Sequence, residues 1–439
     1  MNKRRTKLST VAGVTLLALS LLTTTGFVYA ARQAEDALGA DSTDQVLEWN
    51  QIFIDTLIAT NTPNSSSQRL GAIVQTAVFD AYNGIERRYT PIYVTDEAPR
   101  GASRRAAVIA AAYTALVGLF PSRQAQLQAN YLASLEALSD DGGDGGKSRQ
   151  RGVEWGTYVG QQVLAWRATD GFSTPQSAFI GGTAIGQWRP TVGQNATCTA
   201  MSAQTLAFTS MFVVPSNTLF RPSPPRGLGD SSYLTDLAAV KSLGSLTGST
   251  RTAEQTALAP FWEGNASVHW NQAANQLSRA NGLSMSENSR LFAVLNVAMA
   301  DTAFTTWSAK RFYGADPSSV TWRPFTAIRE GSIDPDTTWR PLVNTPCHPE
   351  YPAGHPAQNG AASTILLNQF GDGSGSFVVT TGAASFMYSS ITQAREDANN
   401  ARIWGGMHYP STIAVSDAMG SAIGLYVDQT AMQRVKGND

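Results

Sequence analysis

Helical periodicity runs through most of this chain, and it is the feature that most limits the folds available to it. Residues 67–82 show the pattern well, because their apolar positions fall on one face of a helix: Leu70, Ile73, Val74, Ala77 and Val78. Alternating apolar and polar positions, which would indicate strands, are scarce. The sequence therefore predicts an all-α protein built as a helical bundle.

Similar patterns predict further helices over most of the chain. They cover residues 46–61, 102–119, 121 to about 138, 152–169, 232–243, 252–262, 268–280, 285–310, 355–369, 383–399 and 410–435. Ser284 and Glu287 form a capping box before the strongest of them. Residues 172–232 are instead rich in Gly, Pro, Ser and Thr, and a structureless loop of this length is unusual in a compact domain. We predict an ordered surface excursion that frames a site.

The N-terminus has the pattern of a secretory signal peptide. Four basic residues precede an apolar run from Val11 to Leu22, and Val28-Tyr-Ala30 supplies small residues for cleavage. The alternative is an uncleaved membrane anchor, although Thr and Gly interrupt the uncharged stretch. We predict a signal peptide over residues 1–30, a single all-helical domain over residues 31–439, and a secreted or periplasmic location.

Charge and cysteine content exclude some classes of function. The whole chain has a formal net charge of −1, and loss of the four leader bases makes the remainder more acidic, so nucleic acid is not an expected partner. No later stretch approaches the roughly 20 apolar residues of a membrane span. Cys198 and Cys347 are too few for a disulfide framework, but an exported chain can form one bridge. Neither cysteine has a companion at zinc-ligand spacing.

Three of the four histidines, His348, His355 and His408, fall in one stretch that also contains Arg402. His355 follows Gly354 at a predicted helix start, where unsatisfied N–H groups bind anions. Arg402 precedes His408 by six residues, so a turn must bring both side chains to one ligand. An isolated histidine is more often a core residue, and a single Arg or Lys is as often solvated. Together these residues predict an oxyanion site.

The order of these basic residues and histidines resembles the signature of a known family. Lys310, Arg323-Pro324, Pro352-Ala-Gly-His355 and Arg402 with His408 follow the signature order of the vanadium-dependent haloperoxidases and the related type 2 phosphatidic acid phosphatases and bacterial acid phosphatases. Other segments resemble the bacterial haloperoxidase-like branch, so the resemblance covers nearly the whole mature chain. The signature region spans about residues 286–435.

The resemblance implies the helical-bundle fold of these enzymes and a bound vanadate. Vanadium would be bound by His408, and its oxygens would face Lys310, Arg323, Arg402 and the Gly354 N–H group. His355 would serve as acid and base toward peroxide. Vanadium(V) would act as a Lewis acid that makes hydrogen peroxide open to attack by halide. The product would be a hypohalous-acid-type species able to halogenate an organic acceptor.

Three departures from the family pattern affect these expectations. Ala353 replaces the usual Ser, which removes a hydroxyl donor and predicts weaker vanadate binding. Lys310 and Arg323 lie thirteen residues apart instead of seven, which suggests an insertion near residues 314–319. Thr412 stands where many relatives have Asp, so His408 needs another acceptor for its second ring nitrogen.

His348 corresponds to a position that is Phe in chloroperoxidases and His in bromoperoxidases of the family, and Trp307 shares a helix face with Lys310. The resemblance therefore implies oxidation of bromide or iodide, although His348 could equally be a hinge residue beside Pro349. One alternative is an acid phosphatase that forms a phosphohistidine at His408. Another is a catalytically weak oxyanion-binding protein. A homo-oligomer is compatible with the sequence.

Overall fold

The structure is a computed structural model that describes residues 44–138, 146–194 and 196–435. The predicted signal peptide lies outside the described residues. From Gln45 onward the described residues form one compact unit. Its α-helices are α1 (Gln45–Ala59), α2 (Asn64–Glu86), α3 (Arg104–Leu119), α4 (Gln124–Glu136), α5 (Lys147–Ala168), α6 (Ser231–Leu243), α7 (Ala253–Phe261), α8 (Ala266–Ala280), α9 (Met285–Ala315), α10 (Pro324–Glu330), α11 (Gly354–Phe370), α12 (Ile391–Trp404) and α13 (Pro410–Thr430).

The all-α prediction is confirmed, with one local correction between α11 and α12. Residues 383–399 were predicted to be one helix, but a hairpin of β1 (Phe377–Thr381) and β2 (Ala384–Tyr388) precedes α12. The β-branched run Val378-Val-Thr-Thr381 and Gly382, whose φ is +58°, favour this hairpin. The Gln276 side chain of α8 hydrogen-bonds both backbone groups of Val378, which pairs the outer edge of β1.

Several helix ends also differ from the prediction, including the start of α5 at Lys147 instead of residue 152 and the end of α2 at Glu86 instead of Tyr82. Helix α9 begins with the predicted capping box of Ser284 and Glu287, but it continues past Lys310 to Ala315. Helix α13 ends at Thr430 instead of Val435. The apolar pattern on which the predictions rested does not mark these ends, because helix ends depend on local capping contacts.

Helices α2 and α9 pack along each other at the centre of the protein. Helices α3 and α5 pack on the α2 side, while α11 and α13 pack against α9. Nearly all of α9 is buried, including Asn296, Asp301 and Lys310. A helix that is buried on every side lies inside a larger bundle and has no solvent-facing polar stripe. The site residues of α9 are therefore placed deep in the protein.

Each central helix carries a buried aspartate that fixes a neighbouring extended segment. Asp80 of α2 accepts hydrogen bonds from three consecutive N–H groups, those of residues 92–94. Asp301 of α9 does the same for residues 212–214. Arg69 and Arg290 precede these aspartates by the same eleven positions. Helices α2 and α9 therefore share the same local arrangement of an arginine and an aspartate, although the sequence has no repeat of fixed period.

The described part of the predicted excursion, residues 172–194 and 196–232, is ordered and contains one short 3-10 turn, Gln204–Phe208. A disulfide between Cys198 and Cys347 joins it to the segment that precedes the predicted site. The Ser202 N–H donates to the Cys347 carbonyl, and the Tyr351 hydroxyl donates to the Ser223 carbonyl. These contacts attach the excursion to the residues on both sides of His348.

Among the described helices, none is by itself long and apolar enough to cross a membrane. Only a pair bent by 117°, Arg104–Leu119 with Pro121–Glu136, passes such a test by length and composition.

Candidate active site

The site lies at the end of the bundle where α11 and α13 begin. Gly420 of α13 touches α11 so closely that a Cβ there would collide with the carbonyl of Ala357, and Gly424 has the same relation to Ala361. The paired positions increase together, so the two helices run in the same direction. Both N-termini therefore lie at one end, where their N–H groups and dipoles favour an anion.

The turn required between Arg402 and His408 is present. Helix α12 ends at Trp404, and the N–H groups of Met407 and His408 both return to the carbonyl of Arg402. Gly406 makes this turn possible, because its φ is +77° and a Cβ there would lie 2.7 Å from Cβ of Pro341. Arg402 and His408 are thus brought together by backbone hydrogen bonds.

Arg323 lies at the centre of the site and is fully buried. Its Nε donates to the His348 carbonyl at 2.9 Å, and its Nη1 donates to the Met407 carbonyl at 3.0 Å. Nη1 also lies 3.0 Å from His408 Nε2, while Nη2 lies 2.9 Å from His348 Nδ1. Burial lowers the pKa of Arg323 to about 10, which still leaves it charged at neutral pH. One guanidinium therefore links the segments of two predicted site histidines.

Lys310 reaches the same place despite the insertion. The inserted residues lie after Lys310, because α9 extends to Ala315. After the insertion the chain returns to the site, where the Thr321 carbonyl accepts a hydrogen bond from the Glu350 N–H at 2.9 Å. Lys310 Nζ donates to the carbonyls of Pro349 and Glu350 at 2.6 and 3.1 Å. Burial, with Arg323 and Arg402 nearby, lowers the pKa of Lys310 well below its ordinary value. Lys310 and Arg323 thus converge on one short segment.

Glu350 is a site residue that the sequence analysis missed. Its carboxylate is buried, and its Oε1 lies 2.8 Å from His408 Nδ1 and 3.2 Å from the Tyr409 N–H nitrogen. Its Oε2 accepts from the Thr412 hydroxyl at 3.0 Å. Glu350 therefore provides the acceptor that His408 lacks at position 412. Its position between His348 and Tyr351, inside the signature, was a signal that could have identified it.

His355 occupies the first turn of α11 and is half-buried. Its Nε2 lies 3.2 Å from the Gly264 carbonyl and 3.3 Å from Asn64 Nδ2. Burial and the nearby Arg402 lower the pKa of His355 well below its usual value, so the ring is neutral at neutral pH. Asn64, at the start of α2, is a second neighbour that sequence reasoning did not identify.

His348 and Trp307 are also placed at the site. Their rings are 5.3 Å apart at the centroids, and the Trp307 indole N–H donates to the Ser202 carbonyl. A Cβ built on Gly354 would lie 3.4 Å from the Trp307 ring, so this ring also contacts the start of α11. Burial, Lys310 and Arg323 lower the pKa of His348 well below its usual value.

Ala353 directly precedes Gly354 and is fully buried. Its N–H donates to Ser416 Oγ at 2.7 Å, and that hydroxyl in turn donates to the Thr412 carbonyl. The Ser416 hydroxyl is therefore engaged within α13. The hydroxyl that the family pattern has at position 353 is absent from this chain.

Positive charge exceeds negative charge in the buried part of the site. Lys310, Arg323 and Arg402 are all buried, whereas Glu350 is the buried carboxylate that contacts the site. Arg402 also pairs with Glu263 at 2.7 Å, but the side chain of Glu263 is 37% exposed. Burying charge is costly without a counter-ion. The site is therefore suited to an anion.

A buried donor supports this conclusion. Among the described residues, Arg402 Nε finds no hydrogen-bond partner. Buried donors are rarely left without an acceptor, so an oxyanion at this place would satisfy Arg402 Nε. His408 Nε2 faces an arginine donor and so carries a lone pair. Fixed cations, an unpartnered donor and a neutral imidazole fit a tetrahedral oxyanion such as vanadate or phosphate.

Comparison with known proteins supports the resemblance seen in the sequence. Residues 290–437 match the family described as the VCPO second helical-bundle domain. This range contains Lys310, Arg323, His355, Arg402 and His408. No curated protein sequence matches the chain.

The fold is also similar to solved structures. A bacterial vanadium-dependent iodoperoxidase aligns with a TM-score of 0.76 and 21% identity, covering 90% of this chain and 98% of that chain. A holo-type bacterial vanadium-dependent chloroperoxidase aligns with a TM-score of 0.65 and 18% identity, covering 84% and 92%. The apo-type chloroperoxidase gives 0.66 and 17%, covering 84% and 94%. The chain therefore has the helical fold of these solved structures, as the resemblance in its sequence predicted.

Proposed function

We propose that this protein is an exported, vanadate-dependent haloperoxidase that oxidises bromide or iodide with hydrogen peroxide. The observation that carries the proposal is the position of His408 Nε2. This uncharged acceptor lies near the buried basic side chains of Lys310, Arg323 and Arg402, at the shared end of α11 and α13. The similarity in fold to a bacterial vanadium iodoperoxidase supports the same hypothesis of a vanadate-dependent haloperoxidase.

The residues of the site have separate binding roles in this proposal. His408 Nε2 binds the vanadium. Lys310, Arg323 and Arg402 neutralise the vanadate oxygens, and the N–H group of Gly354 adds the N-terminal dipole of α11. Fixed donors of this kind need no reorganisation during the reaction, which is the usual origin of electrostatic catalysis. Bound vanadate supplies Lewis-acid activation of peroxide toward attack by halide.

His355 is proposed to move protons. His355 Nε2 lies between the Gly264 carbonyl, an acceptor at 3.2 Å, and Asn64 Nδ2, a donor at 3.3 Å, so the neutral ring can carry its proton on either nitrogen and its lone pair on the other. A neutral imidazole with a free lone pair can accept the proton of an incoming hydrogen peroxide molecule. The same group can return a proton when hypohalous acid leaves.

The proposal predicts an activity that depends on added orthovanadate. We would assay bromination and iodination of an activated diketone by the purified apoprotein with hydrogen peroxide, with and without orthovanadate. Phosphatase activity on a phosphomonoester would be measured in parallel, with orthovanadate as inhibitor. The proposed function requires halogenation that rises with vanadate and saturates.

Two results of these assays would contradict the proposed function. Absence of halogenation at every vanadate concentration, with phosphatase activity present, would replace the proposal by the phosphatase alternative. Absence of both activities, with vanadate still bound, would leave an oxyanion-binding protein. His408→Ala should abolish whichever chemistry is found, and retained activity would show that the vanadate ligand is misassigned.

A further inference from the structure

The carboxylate of Glu350 is directed at one short segment, the turn that leads into α13. Its two oxygens contact His408 Nδ1, the Tyr409 N–H group and the Thr412 hydroxyl, and the carboxylate is buried. The backbone of Glu350 is fixed as well, by the Thr321 carbonyl and by Lys310 Nζ. Glu350 therefore cannot move without disturbing several parts of the site.

Two independent contacts select the same tautomer of His408. The Tyr409 N–H group can only donate, so Glu350 Oε1 is an acceptor, and His408 Nδ1 at 2.8 Å must then carry a proton. Arg323 Nη1 can also only donate, so His408 Nε2 at 3.0 Å must be the acceptor. The neutral ring is thus fixed with its proton on Nδ1 and its lone pair on Nε2.

This tautomer is the one that a vanadium or phosphorus atom requires. Only a nitrogen with a lone pair can bind such an atom, and Nε2 is the nitrogen that faces the buried cations. A carboxylate on the opposite nitrogen also makes the ring a better donor to the bound atom, as carboxylates do for metal-bound histidines. Arg323 can release Nε2 without losing its place, because its contacts to the carbonyls of His348 and Met407 remain.

We propose that Glu350 is the positioning residue of His408, and that it takes the place of the carboxylate that the family pattern puts at position 412. The inference rests on the proposed oxyanion site. Thr412 remains part of the arrangement, but in a different role, because its hydroxyl now donates to Glu350. In this chain the carboxylate comes from the segment that precedes α11, whereas the family pattern places it in α13.

The first test is the Glu350→Gln variant, measured by orthovanadate binding. We expect affinity to fall by about 10–100-fold, the range for loss of a carboxylate behind a metal-bound histidine. The matched control is Asp236→Asn. Asp236 is also largely buried and accepts from the Ser411 N–H group at 3.1 Å, but it is not among the groups that hydrogen-bond His408. Equal losses in both variants would overturn the proposal, because they would indicate a general effect on the start of α13.

The second test reads the tautomer directly and needs no activity. The chain has four histidines, so nitrogen-15 spectra of histidine-labelled protein can be assigned with single substitutions. Wild-type His408 should show its proton on Nδ1, and Glu350→Gln should shift the population toward the other tautomer or toward exchange between them. An unchanged His408 spectrum together with unchanged vanadate affinity would refute the proposal.

A rescue variant makes the inference specific. Thr412→Asp in the Glu350→Gln background should recover at least ten-fold in vanadate affinity, because it returns a carboxylate to the position that the family pattern favours. No recovery, in a double variant that folds as the single one does, would count against the positioning role. If Glu350→Gln does not fold, Thr412→Val removes one contact of the carboxylate and should give a smaller loss in the same direction. An unchanged affinity in that variant would contradict the proposal.

The outcomes separate this inference from the proposed function. If wild-type protein binds orthovanadate but lacks halogenation, the proposed activity fails, whereas the effect of Glu350→Gln on vanadate affinity and on the tautomer still decides the role of Glu350. If halogenation is present and Glu350→Gln leaves both affinity and tautomer unchanged, only the inference about Glu350 fails.

Discussion

Arg323 Nη1 lies 3.0 Å from His408 Nε2, although 85 positions separate the two residues in the chain. The same guanidinium also contacts the backbone carbonyls of His348 and Met407. Arg323 therefore organises the site before any anion arrives, and it presents a planar donor to the atom proposed to bind vanadium.

The first prediction concerns Arg323. Arg323→Lys keeps the charge but loses the planar fork, and a lysine cannot contact both histidine segments at once. We expect orthovanadate affinity to fall by about ten-fold or more, measured by titration calorimetry. Arg329→Lys is the control, since Arg329 lies in α10, the helix that Arg323 directly precedes, and donates to the Trp339 carbonyl. Similar losses of orthovanadate affinity in the two variants would show that the effect comes from a disturbance of α10 and not from the loss of the Arg323 contacts.

The second prediction concerns Ala353, which stands where the family pattern has serine. Ala353→Ser should return a hydroxyl donor to the oxyanion, and a hydrogen bond to a charged group is worth about 1.5–3 kcal/mol. The dissociation constant for orthovanadate should therefore decrease by roughly ten-fold or more. A constant that is unchanged, in a variant with the same Tm, would mean that the added hydroxyl does not reach the anion.

The third prediction concerns halide choice. His348→Phe removes the ring nitrogen that faces Arg323 Nη2 at 2.9 Å and leaves an apolar ring beside Trp307. We expect the ratio of kcat/KM for bromide to that for chloride to change by about ten-fold, the equivalent of one hydrogen bond to a charged group. A ratio that stays constant would support the alternative that His348 is only a hinge beside Pro349.

The fourth prediction concerns the disulfide. The bond between Cys198 and Cys347 spans 149 positions and ends next to His348. Replacing both cysteines by serine should lower the free energy of unfolding by about 3–5 kcal/mol, as expected for a long closed loop. Vanadate affinity should fall as well, because the segment before His348 loses its attachment to the excursion. Alkylation with and without prior reduction would establish the bond in the purified protein, and an unchanged Tm in the double variant would contradict its stabilising role.

The fifth prediction concerns His269, the histidine outside the predicted site. Its ring is buried, lies 2.6 Å from Thr381 Oγ1 through Nε2 and stacks on Phe261. Burial lowers its pKa from an ordinary 6.5 to about 3. A lowered histidine pKa means that the folded state favours the neutral ring, so its stabilising effect is complete above pH 6.5 and is lost as the pH falls toward 3.

The test of this prediction is the pH dependence of urea unfolding. Between pH 7 and pH 4 the wild type should lose about 3 kcal/mol through His269 alone, at roughly 1.4 kcal/mol for each pH unit below 6.5. His269→Phe lacks this titration, so its unfolding free energy should decrease less over the same range. Parallel curves for the two proteins would show that His269 does not titrate below its ordinary range.

The fold was largely predictable because helical periodicity is local information. The apolar spacing in residues 67–82 and 285–310 defines faces that must be buried, whatever surrounds them. The hairpin at residues 377–388 is not predicted by the local pattern. The backbone groups at the outer edge of β1 are hydrogen-bonded by the side chain of Gln276, a residue about a hundred positions away. Strand pairing of this kind depends on distant partners, which a local pattern does not contain.

The sequence by itself predicted most residues of the proposed oxyanion site, because their order along the chain resembles the signature of a known family, but it identified neither Glu350 nor Asn64. Only the tertiary structure decided how they meet. It places the inserted residues after Lys310, where α9 extends to Ala315, and it places the carboxylate of Glu350 against His408, where Thr412 has none. The reason is physical: a carboxylate can orient an imidazole from any place in the chain that packing brings within hydrogen-bond distance.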